Sequence, residues 1–273
     1  MPIDVEVLIV SYGSADDVTQ CLASVERLVP DTPVAVREHH PDADAFATLV
    51  AVAQASGLDV RTEHDPTNPG FGAGCNALAR TSSAEWLLFL NPDTELVTWP
   101  WSAAPPTAPA IIGPMFTDDA ADHFGVSYRV RDEVARSWLR RPGRVPTGKG
   151  FVSGAALLVD AETFHRLDGF DEGYFLFYED IDLCLRANEI GVPTVVEERW
   201  QVAHRRGRST GRRFDQGRDG ARLEAQGGLR RARATHGRSR SQDRDRPPST
   251  KPLNTHADRR PTMSRAARPA RAT

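Results

Sequence analysis

Residues 86–93 read Trp-Leu-Leu-Phe-Leu-Asn-Pro-Asp, five apolar residues followed at once by three residues that favour turns. A continuous apolar run of this length is typical of a strand that is buried on both faces of a sheet. Val5–Tyr12 is a second, nearly continuous run of this kind. Fully buried strands belong to parallel sheets, which are covered by helices on both sides.

Helical patterns separate the predicted strands. Between the two apolar runs, strand signals at Val34–Val36 and Leu58–Thr62 alternate with segments of helical periodicity. Ser14-Ala-Asp-Asp17 resembles a capping box at the start of the first helix. This order predicts an α/β protein with a parallel sheet, and such sheets bind ligands beyond the carboxyl ends of their strands.

Beyond residue 99 the pattern is less regular. We predict a helix over Val130–Arg141, a strand over Phe151–Val159 and a helix over Glu179–Glu189. Two closing strands are predicted at Val192–Val196 and Trp200–His204. The sequence contains no internal repeat.

The charge of the chain is strongly divided. Residues 1–204 contain 14 Lys and Arg against 31 Asp and Glu, whereas residues 205–273 contain 20 against 6. Because residues 212–273 have few large apolar side chains, we predict a folded domain over 1–211 and a disordered, arginine-rich tail over 212–273. Three interpretations of the tail stay open: a basic arm for nucleic acid or anionic lipid, a solvated low-complexity segment, and an altered reading frame.

Composition argues against several classes of protein. No run of about 18 apolar residues occurs, which disfavours a transmembrane helix. The N-terminus lacks the basic region and cleavage site of a secretory signal. Cys21, Cys75 and Cys184 lie far apart, which disfavours a disulfide framework or a zinc site and fits a reducing cytoplasm.

Four polar segments are candidates for chemistry, and each has a plainer interpretation beside it. Asp93 follows the apolar strand and could bind magnesium or manganese together with substrate phosphates, or it could belong to an ordinary turn. The glycine-rich segment Asn68–Asn76 could bring backbone N–H groups close to a ligand, or it could only begin a helix.

The other two segments lie nearer the C-terminus. Glu179 and Asp180 precede a predicted helix, where an ionised carboxylate is either a general base or an N-terminal cap. His204 ends a predicted strand and is followed by arginines, so it is either a cation ligand or a structural histidine.

Taken in order, these segments resemble the family-two inverting glycosyltransferases of the GT-A fold, most closely their bacterial rhamnosyltransferase-like branch. The resemblance covers about residues 3–211. The stretches that carry it are 10–12 (VSY), 68–76 (NPGFGAGCN), 91–93 (NPD), 151–159 (FVSGAALLV), 169–172 (GFDE), 177–183 (FYEDIDL), and His204 ahead of 209–211 (STG). It implies a Rossmann-like, mostly parallel sheet flanked by helices.

The resemblance also implies roles for individual residues. Asp180 corresponds to the family's catalytic base, while Asp93 and His204 correspond to ligands of a divalent cation, Mg or Mn. Gly154 and Glu179 correspond to the acceptor side. The residues implied to bind the donor nucleotide sugar are Ser11, Tyr12, Glu38, Asn68, Gly72, Asn76, Asn91 and Asp93.

The implied activity is transfer of a sugar, with rhamnose as a candidate, from a nucleotide-sugar donor to a glycan or lipid-linked acceptor in cell-envelope polysaccharide synthesis. The implied setting is the cytoplasm, with peripheral contact between the basic tail and the inner face of an anionic membrane. An alternative is a catalytically silent GT-A-like domain whose tail binds nucleic acid or anionic lipid, nucleic acid being the less favoured partner. A sugar-phosphate nucleotidyltransferase is disfavoured because residues 1–148 contain no lysine for its glycine-rich signature.

Overall fold

The computed structural model describes residues 2–117 and 151–205, which form eight strands and five helices. The predicted helix Val130–Arg141, the motif at 209–211 and the arginine-rich tail lie outside these described residues. In chain order the elements are β1 (Val5–Ser11), α1 (Ala15–Leu28), β2 (Val34–Glu38), α2 (Ala43–Ala55), β3 (Val60–His64), α3 (Phe71–Ala79), β4 (Trp86–Leu90), β5 (Thr94–Thr98), β6 (Ile111–Phe116), β7 (Ala156–Asp160), α4 (Ala161–Arg166), α5 (Glu179–Glu189) and β8 (Thr194–His204).

The eight strands of the described residues form one sheet with the order β3-β2-β1-β4-β7-β6-β8-β5. The first four strands are parallel, since β1 pairs with β2 and β4, and β2 pairs with β3. The second half is mixed, because β7 is antiparallel to both β4 and β6, and β5 is antiparallel to β8. The predicted α/β class with a mostly parallel sheet is confirmed.

The core lies on both faces of this sheet. Alternate side chains of β4 enter two separate hydrophobic clusters, Leu88 and Leu90 on one face and Leu87 and Phe89 on the other. All five residues of β4 are buried. Burial on both faces explains why this strand is apolar throughout instead of alternating with polar residues.

The first helix forms where it was predicted, but its cap is different. Ser14 precedes α1 and makes no side-chain cap hydrogen bond, so the predicted capping box is wrong. The Ser14 hydroxyl instead lies 3.2 Å from the hydroxyl of Ser11 at the end of β1. The Ser14 hydroxyl therefore meets the end of β1 instead of the backbone of α1. The spacing of residues within the helix does not reveal this contact.

The C-terminal strands differ from the prediction, whereas α5 has the predicted bounds, Glu179–Glu189. Of the predicted strand Phe151–Val159 only Ala156–Val159 belongs to β7, because residues 154 and 155 form a turn immediately before it. The two predicted closing strands are a single strand, β8, whose register against β6 shifts partway along. The residues at this register shift lack a strand pattern, so the sequence suggested two strands with a gap between them.

Cys21, Cys75 and Cys184 are free and buried. Burial raises the pKa of Cys21 and of Cys184 to about 12. Within the described part of the chain, no helix is both long enough and apolar enough to cross a bilayer.

Candidate active site

The carboxyl ends of β1, β2 and β4 lie side by side at one edge of the sheet. The parallel register places Ser11 opposite Glu38 and Ile9 opposite Leu90. Asn91 directly follows Leu90, so the ends of three strands bring predicted donor-binding residues to the same edge. Polar side chains collect here because the strands end here and their apolar runs stop.

Glu38 is fully buried at this edge, and its carboxylate is engaged within the protein. One oxygen accepts a hydrogen bond from the Ser11 hydroxyl at 2.8 Å. The other accepts from the backbone N–H groups of Gly13 and His40, each at 2.8 Å. The carboxylate therefore holds together the loops that follow β1 and β2. A direct role for Glu38 in binding the donor stays a prediction.

Tyr12 is the first residue beyond β1, and its side chain is 47 % exposed. Its ring meets the ring of His40 edge-on, with 5.0 Å between the two ring centroids. Contact with His40 orients the Tyr12 ring, while its exposure leaves an aromatic face open to solvent beside the buried Glu38 cluster.

The glycine-rich segment leads directly into α3, which begins at Phe71. Asn68 and Gly70 both have positive φ values, 45° and 107°. The N–H of Phe71 donates to the carbonyl of Phe175 at 2.9 Å, so protein rather than ligand satisfies this terminal N–H of the helix. A Cβ atom on Gly70 would lie 2.4 Å from the same carbonyl oxygen, which explains the glycine.

Gly72 and Asn76, both predicted to bind the donor, pack α3 against later segments. A Cβ atom on Gly72 would lie 3.0 Å from Cβ of Phe170 and 3.5 Å from Cβ of Glu179. The amide of Asn76 donates to the Phe170 carbonyl at 2.9 Å and to Glu172 at 3.1 Å, and it accepts from the Phe170 N–H at 2.9 Å. Their donor-binding roles stay predictions, whereas these contacts place Gly72 against the start of α5 and Asn76 against the segment that precedes it.

Asp93 is buried and lies beside His204, the second predicted cation ligand. Its Oδ1 is 3.3 Å from Nε2 of His204. The proximity follows from the pairing of β5 with β8, whose register sets Thr94 opposite His204. The backbone continues this pairing, since the Asp93 carbonyl accepts from the N–H of Arg205 at 2.9 Å.

The Asp93–His204 pair fits part of a divalent cation site. In the described residues Oδ1 of Asp93 is a buried acceptor with no hydrogen-bond donor, although the imidazole is close. Mg²⁺ binds through one or two carboxylates and completes its shell with water and substrate phosphates, and Mn²⁺ shares its preference for oxygen ligands. No group of three or more His, Cys, Asp or Glu side chains in residues 2–117 and 151–205 is arranged to hold a metal ion, so phosphates would have to supply further ligands.

Asp180, the predicted base, is held by two backbone donors at the start of α5. Its Oδ2 accepts from the N–H of Gly154 at 2.8 Å, and its Oδ1 accepts from the N–H of Ile181 at 2.7 Å. Burial raises the pKa of Asp180, while the hydrogen bonds from Gly154 and Ile181 act in the opposite direction. A carboxylate with oriented oxygens and a raised pKa is suited to accept a proton.

Glu179 is buried, with 4 % of its surface exposed. Within the described residues its Oε2 has no hydrogen-bond partner. Burial, and then the negative charge of Asp180, raise the pKa of Glu179 well above its usual range. Backbone donors reach both oxygens of Asp180 but not Oε2 of Glu179, so Asp180 is the member of the pair whose negative charge is better stabilised.

A short chain of contacts joins the edge of the sheet to this carboxyl pair. The N–H of Asn91 donates to the carbonyl of Ala155 at 2.8 Å. Ala155 adjoins Gly154, which binds Asp180. The segment between Asn91 and Asp93 and the start of α5 thus contact the same turn, although about ninety residues separate them in the sequence.

Comparison with known proteins shows similarity to bacterial rhamnosyltransferases. The chain is 41 % identical to an N-acetylglucosaminyl-diphospho-decaprenol L-rhamnosyltransferase of Mycobacterium tuberculosis over 63 residues, 23 % of this chain and 20 % of the relative. It is 27 % identical to rhamnosyltransferase WbbL of Escherichia coli over 212 residues, 69 % of this chain and 78 % of the relative. No family model matches the chain.

The structure resembles a glycosyltransferase of known structure. PcManGT, a mannosyltransferase from Pyrobaculum calidifontis solved with GDP-Man and Mn²⁺, superimposes with a TM-score of 0.53 at 15 % identity, over 76 % of this chain and 60 % of that one. The chain is similar to rhamnosyltransferases in sequence, and it has the GT-A fold. Its match to the mycobacterial relative spans only a fifth of that protein.

The backbone conformation just before α5 of this GT-A protein could not be predicted from the sequence. Phe177 and Tyr178 have positive φ values of 66° and 72° immediately before the helix. Bulky side chains rarely adopt this left-handed conformation, which glycine and asparagine usually occupy, so composition does not reveal it. Phe175 and Phe177 are also 56 % and 38 % exposed, unusual values for phenylalanine next to a buried carboxyl pair.

Proposed function

We propose that the protein is a glycosyltransferase that moves a sugar from a nucleotide-sugar donor to a glycan or lipid-linked acceptor in the synthesis of a cell-envelope polysaccharide. The observation that carries this proposal is the 2.8 Å hydrogen bond from Gly154 to Asp180, next to the residue that Asn91 contacts. It brings a carboxylate with a raised pKa to the sheet edge where α/β proteins bind ligands.

In the proposed reaction Asp180 is the general base. It takes the proton of the acceptor hydroxyl as that oxygen forms a bond to the anomeric carbon of the donor sugar. The bond from that carbon to the diphosphate breaks, and the nucleoside diphosphate leaves with the electron pair. A single displacement of this kind inverts the configuration of the anomeric carbon. The N–H groups of Gly154 and Ile181 orient the Asp180 oxygens for proton transfer.

Asp93 and His204 are the residues that would hold a divalent cation, Mg²⁺ or Mn²⁺. When bound, the cation would offset the negative charge that develops on the leaving diphosphate. Support comes from Oδ1 of Asp93, which is buried and accepts no hydrogen bond from the described residues, and from the Mn²⁺ in the structure of the mannosyltransferase PcManGT.

We assign the donor to the edge formed by β1, β2 and β4. Ser11, Tyr12, Asn68 and Asn91 would contact the nucleotide sugar, whereas Glu38, Gly72 and Asn76 would shape its pocket through the contacts described above. Rhamnose is the favoured sugar because two relatives are named rhamnosyltransferases. The name of the mycobacterial relative favours a lipid-linked diphosphate acceptor, which would approach from the side of Gly154 and Glu179.

We place this reaction in the cytoplasm, at the inner face of the membrane where a lipid-linked acceptor would be reached. The arginine-rich residues 212–273 would supply peripheral contact with anionic lipid, since each basic residue near such a surface contributes about 1 kcal/mol.

The deciding experiment is thermal unfolding of the full chain with Mn²⁺ and a panel of UDP-, dTDP- and GDP-sugars. A ligand that binds only the folded state raises the melting temperature, with about 2.7 kcal/mol of stabilisation at one hundred times its dissociation constant. We expect a metal-dependent increase with one nucleotide class, dTDP being the favoured one. No increase with any of them, for a protein that unfolds cooperatively, would contradict the proposal. It would favour the silent domain, which predicts salt-sensitive polyanion binding that is lost without residues 212–273.

A further inference from the structure

Exposed aromatic side chains are concentrated beside the candidate active site. Among the described residues the exposed large hydrophobic side chains include three aromatic ones, Tyr12, Phe175 and Phe177. Tyr12 lies at the donor edge, and the two phenylalanines lie within five residues of Asp180. Single exposed apolar residues are ordinary, but exposed aromatic side chains next to candidate catalytic residues indicate a binding surface.

The segment that carries Phe175 and Phe177 is fixed at both ends. The Phe175 carbonyl accepts from the N–H of Phe71 at the start of α3, at 2.9 Å. The Tyr178 carbonyl accepts from the N–H of Asp182 in the first turn of α5, at 3.0 Å. The two exposed rings are therefore attached to a frame that two helices position, rather than to a free loop.

The backbone between these anchors is held in an unfavourable conformation. Positive φ values at two consecutive aromatic residues, Phe177 and Tyr178, cost free energy that glycine would avoid. Such strain persists where the surrounding structure imposes it, and it is concentrated at ligand sites. Phe177 therefore stands, with its ring exposed, at a position whose backbone conformation would favour glycine.

Phe177 is within reach of a molecule that contacts Asp180. Phe177 lies three positions before Asp180, and an extended chain spans at most about 3.6 Å per residue. Their Cα atoms are therefore no more than about 11 Å apart. A sugar ring whose hydroxyl meets the Asp180 carboxylate lies in this range, whereas the lipid portion of a lipid-linked acceptor begins beyond the sugar and its diphosphate.

We propose that Phe175 and Phe177 form an acceptor platform, an aromatic surface that stacks against the apolar C–H face of the acceptor sugar. This inference rests on the proposed function. A pyranose ring has hydroxyl groups at its rim and C–H bonds on its face, and those C–H bonds meet the negative face of an aromatic ring favourably. Stacking would orient the acceptor hydroxyl toward Asp180 without adding a polar group to the site.

The test compares Phe175→Ala and Phe177→Gly with the control Ile190→Ala, which removes another exposed apolar side chain at the far end of α5. The acceptor is a short-chain N-acetylglucosaminyl diphospholipid. We expect its KM to rise about tenfold in each platform variant, equivalent to about 1.4 kcal/mol. The donor KM and the rate of donor hydrolysis should not change, and Phe177→Tyr should restore the acceptor KM.

Stability separates recognition from folding in this test. Glycine adopts a φ of 66° readily, so Phe177→Gly should keep or raise the melting temperature while it weakens acceptor binding. A lower melting temperature with an unchanged acceptor KM would overturn the platform. A defect seen only with the lipid-bearing acceptor, and not with a soluble N-acetylglucosaminide, would overturn the assignment to the sugar.

Failure of the proposed function has a different outcome. If the wild-type protein transfers no sugar, binding of the soluble N-acetylglucosaminide is measured directly by ligand-observed NMR. Weaker binding to Phe177→Gly than to wild type would support the platform even then. Equal binding to both, or binding to neither, would overturn it.

Discussion

Asp93 and Asp180 are two carboxylates at the same edge of the molecule, but their surroundings differ. Within the described ranges 2–117 and 151–205, Asp93 has a buried oxygen that accepts no hydrogen bond and an imidazole 3.3 Å away. Asp180 has a backbone N–H on each oxygen, at 2.8 and 2.7 Å. An unfilled acceptor beside an imidazole suits a cation, whereas an oriented carboxylate with a raised pKa suits proton transfer. Both residues are aspartates, so the difference indicates that the groups around each carboxylate determine its chemical role.

The largest expected effect comes from Asp180→Asn. Loss of a general base lowers turnover by about 10²- to 10⁴-fold. The asparagine is nearly isosteric, so the melting temperature and its increase on donor binding should be retained. Steady-state kinetics of sugar transfer, measured beside thermal unfolding, check both expectations.

Asp182→Asn is the matched control for that variant. Asp182 lies on the same helix and pairs with Arg186 at 2.7 Å, so its loss should cost little turnover. Equal losses in Asp180→Asn and Asp182→Asn would show that helix charge, and not proton transfer, explains the effect.

Asp93→Ala tests the other carboxylate and should act on binding of the donor. We expect most of the Mn²⁺-dependent increase in melting temperature with a nucleotide sugar to disappear, because the buried oxygen that would contact the cation is removed. His204→Ala should reduce the increase by a smaller amount. Glu95→Gln is the control, since Glu95 lies two residues after Asp93 and its carboxylate pairs with Arg205. An unchanged increase in Asp93→Ala would place the cation elsewhere.

Asn76→Ala tests the hydrogen bonds that join α3 to the segment before the carboxyl pair. Its amide bonds both the N–H and the carbonyl of Phe170, and alanine would leave these buried groups unpaired. We expect the free energy of unfolding in urea to fall by about 2–3 kcal/mol. Asn188→Ala removes a hydrogen bond to the Cys184 carbonyl at 2.7 Å and one to the Thr194 hydroxyl at 3.2 Å, and it should cost less because these partners are less buried. If the two variants are equally stable, the hydrogen bonds of Asn76 to Phe170 do not contribute the stability expected of them.

Glu179→Gln has the smallest expected effect and a distinct pH dependence. The pKa of Glu179 is raised in the folded protein, so its contribution to stability is full below the usual value of about 4.3 and is lost as the pH rises through the raised value. Glutamine is neutral at every pH and should flatten this decline. Urea unfolding at a series of pH values measures the slope, and an unchanged slope would show that Glu179 is ionised in the folded protein.

Much of the fold was predictable from local pattern. β4 has the predicted bounds because every residue in it is buried, and a run of five apolar residues ahead of a turn is typical of such a strand. α5 has the predicted bounds because acidic residues fill its first turn and Gly191 follows its end with a positive φ, and both the acidic residues and the glycine are visible in the sequence. β5 was missed because it lies at the end of the sheet, pairs only with β8, and has two exposed residues at its end.

The candidate site was predictable in its residues but not in their partners. The order of the motifs along the chain was enough to indicate Asp93, Asp180 and His204. It did not indicate that Asn76 and Gly72 pack against the segment before α5, or that Glu38 is closed off by Ser11, Gly13 and His40. These contacts join residues that lie far apart in the chain, and no local periodicity records them.

The sequence by itself determined the α/β class, the buried strands and the identity of the acidic residues, because burial on both faces of a strand and a turn at its end are properties of neighbouring residues. Only the tertiary structure decided which carboxylate meets an imidazole, which meets backbone N–H groups, and which is buried beside another carboxylate with a raised pKa. Those outcomes depend on how β4, β7, β8 and α5 are brought together. The chemistry of a carboxylate depends on the dielectric and the donors around it, and only packing supplies these.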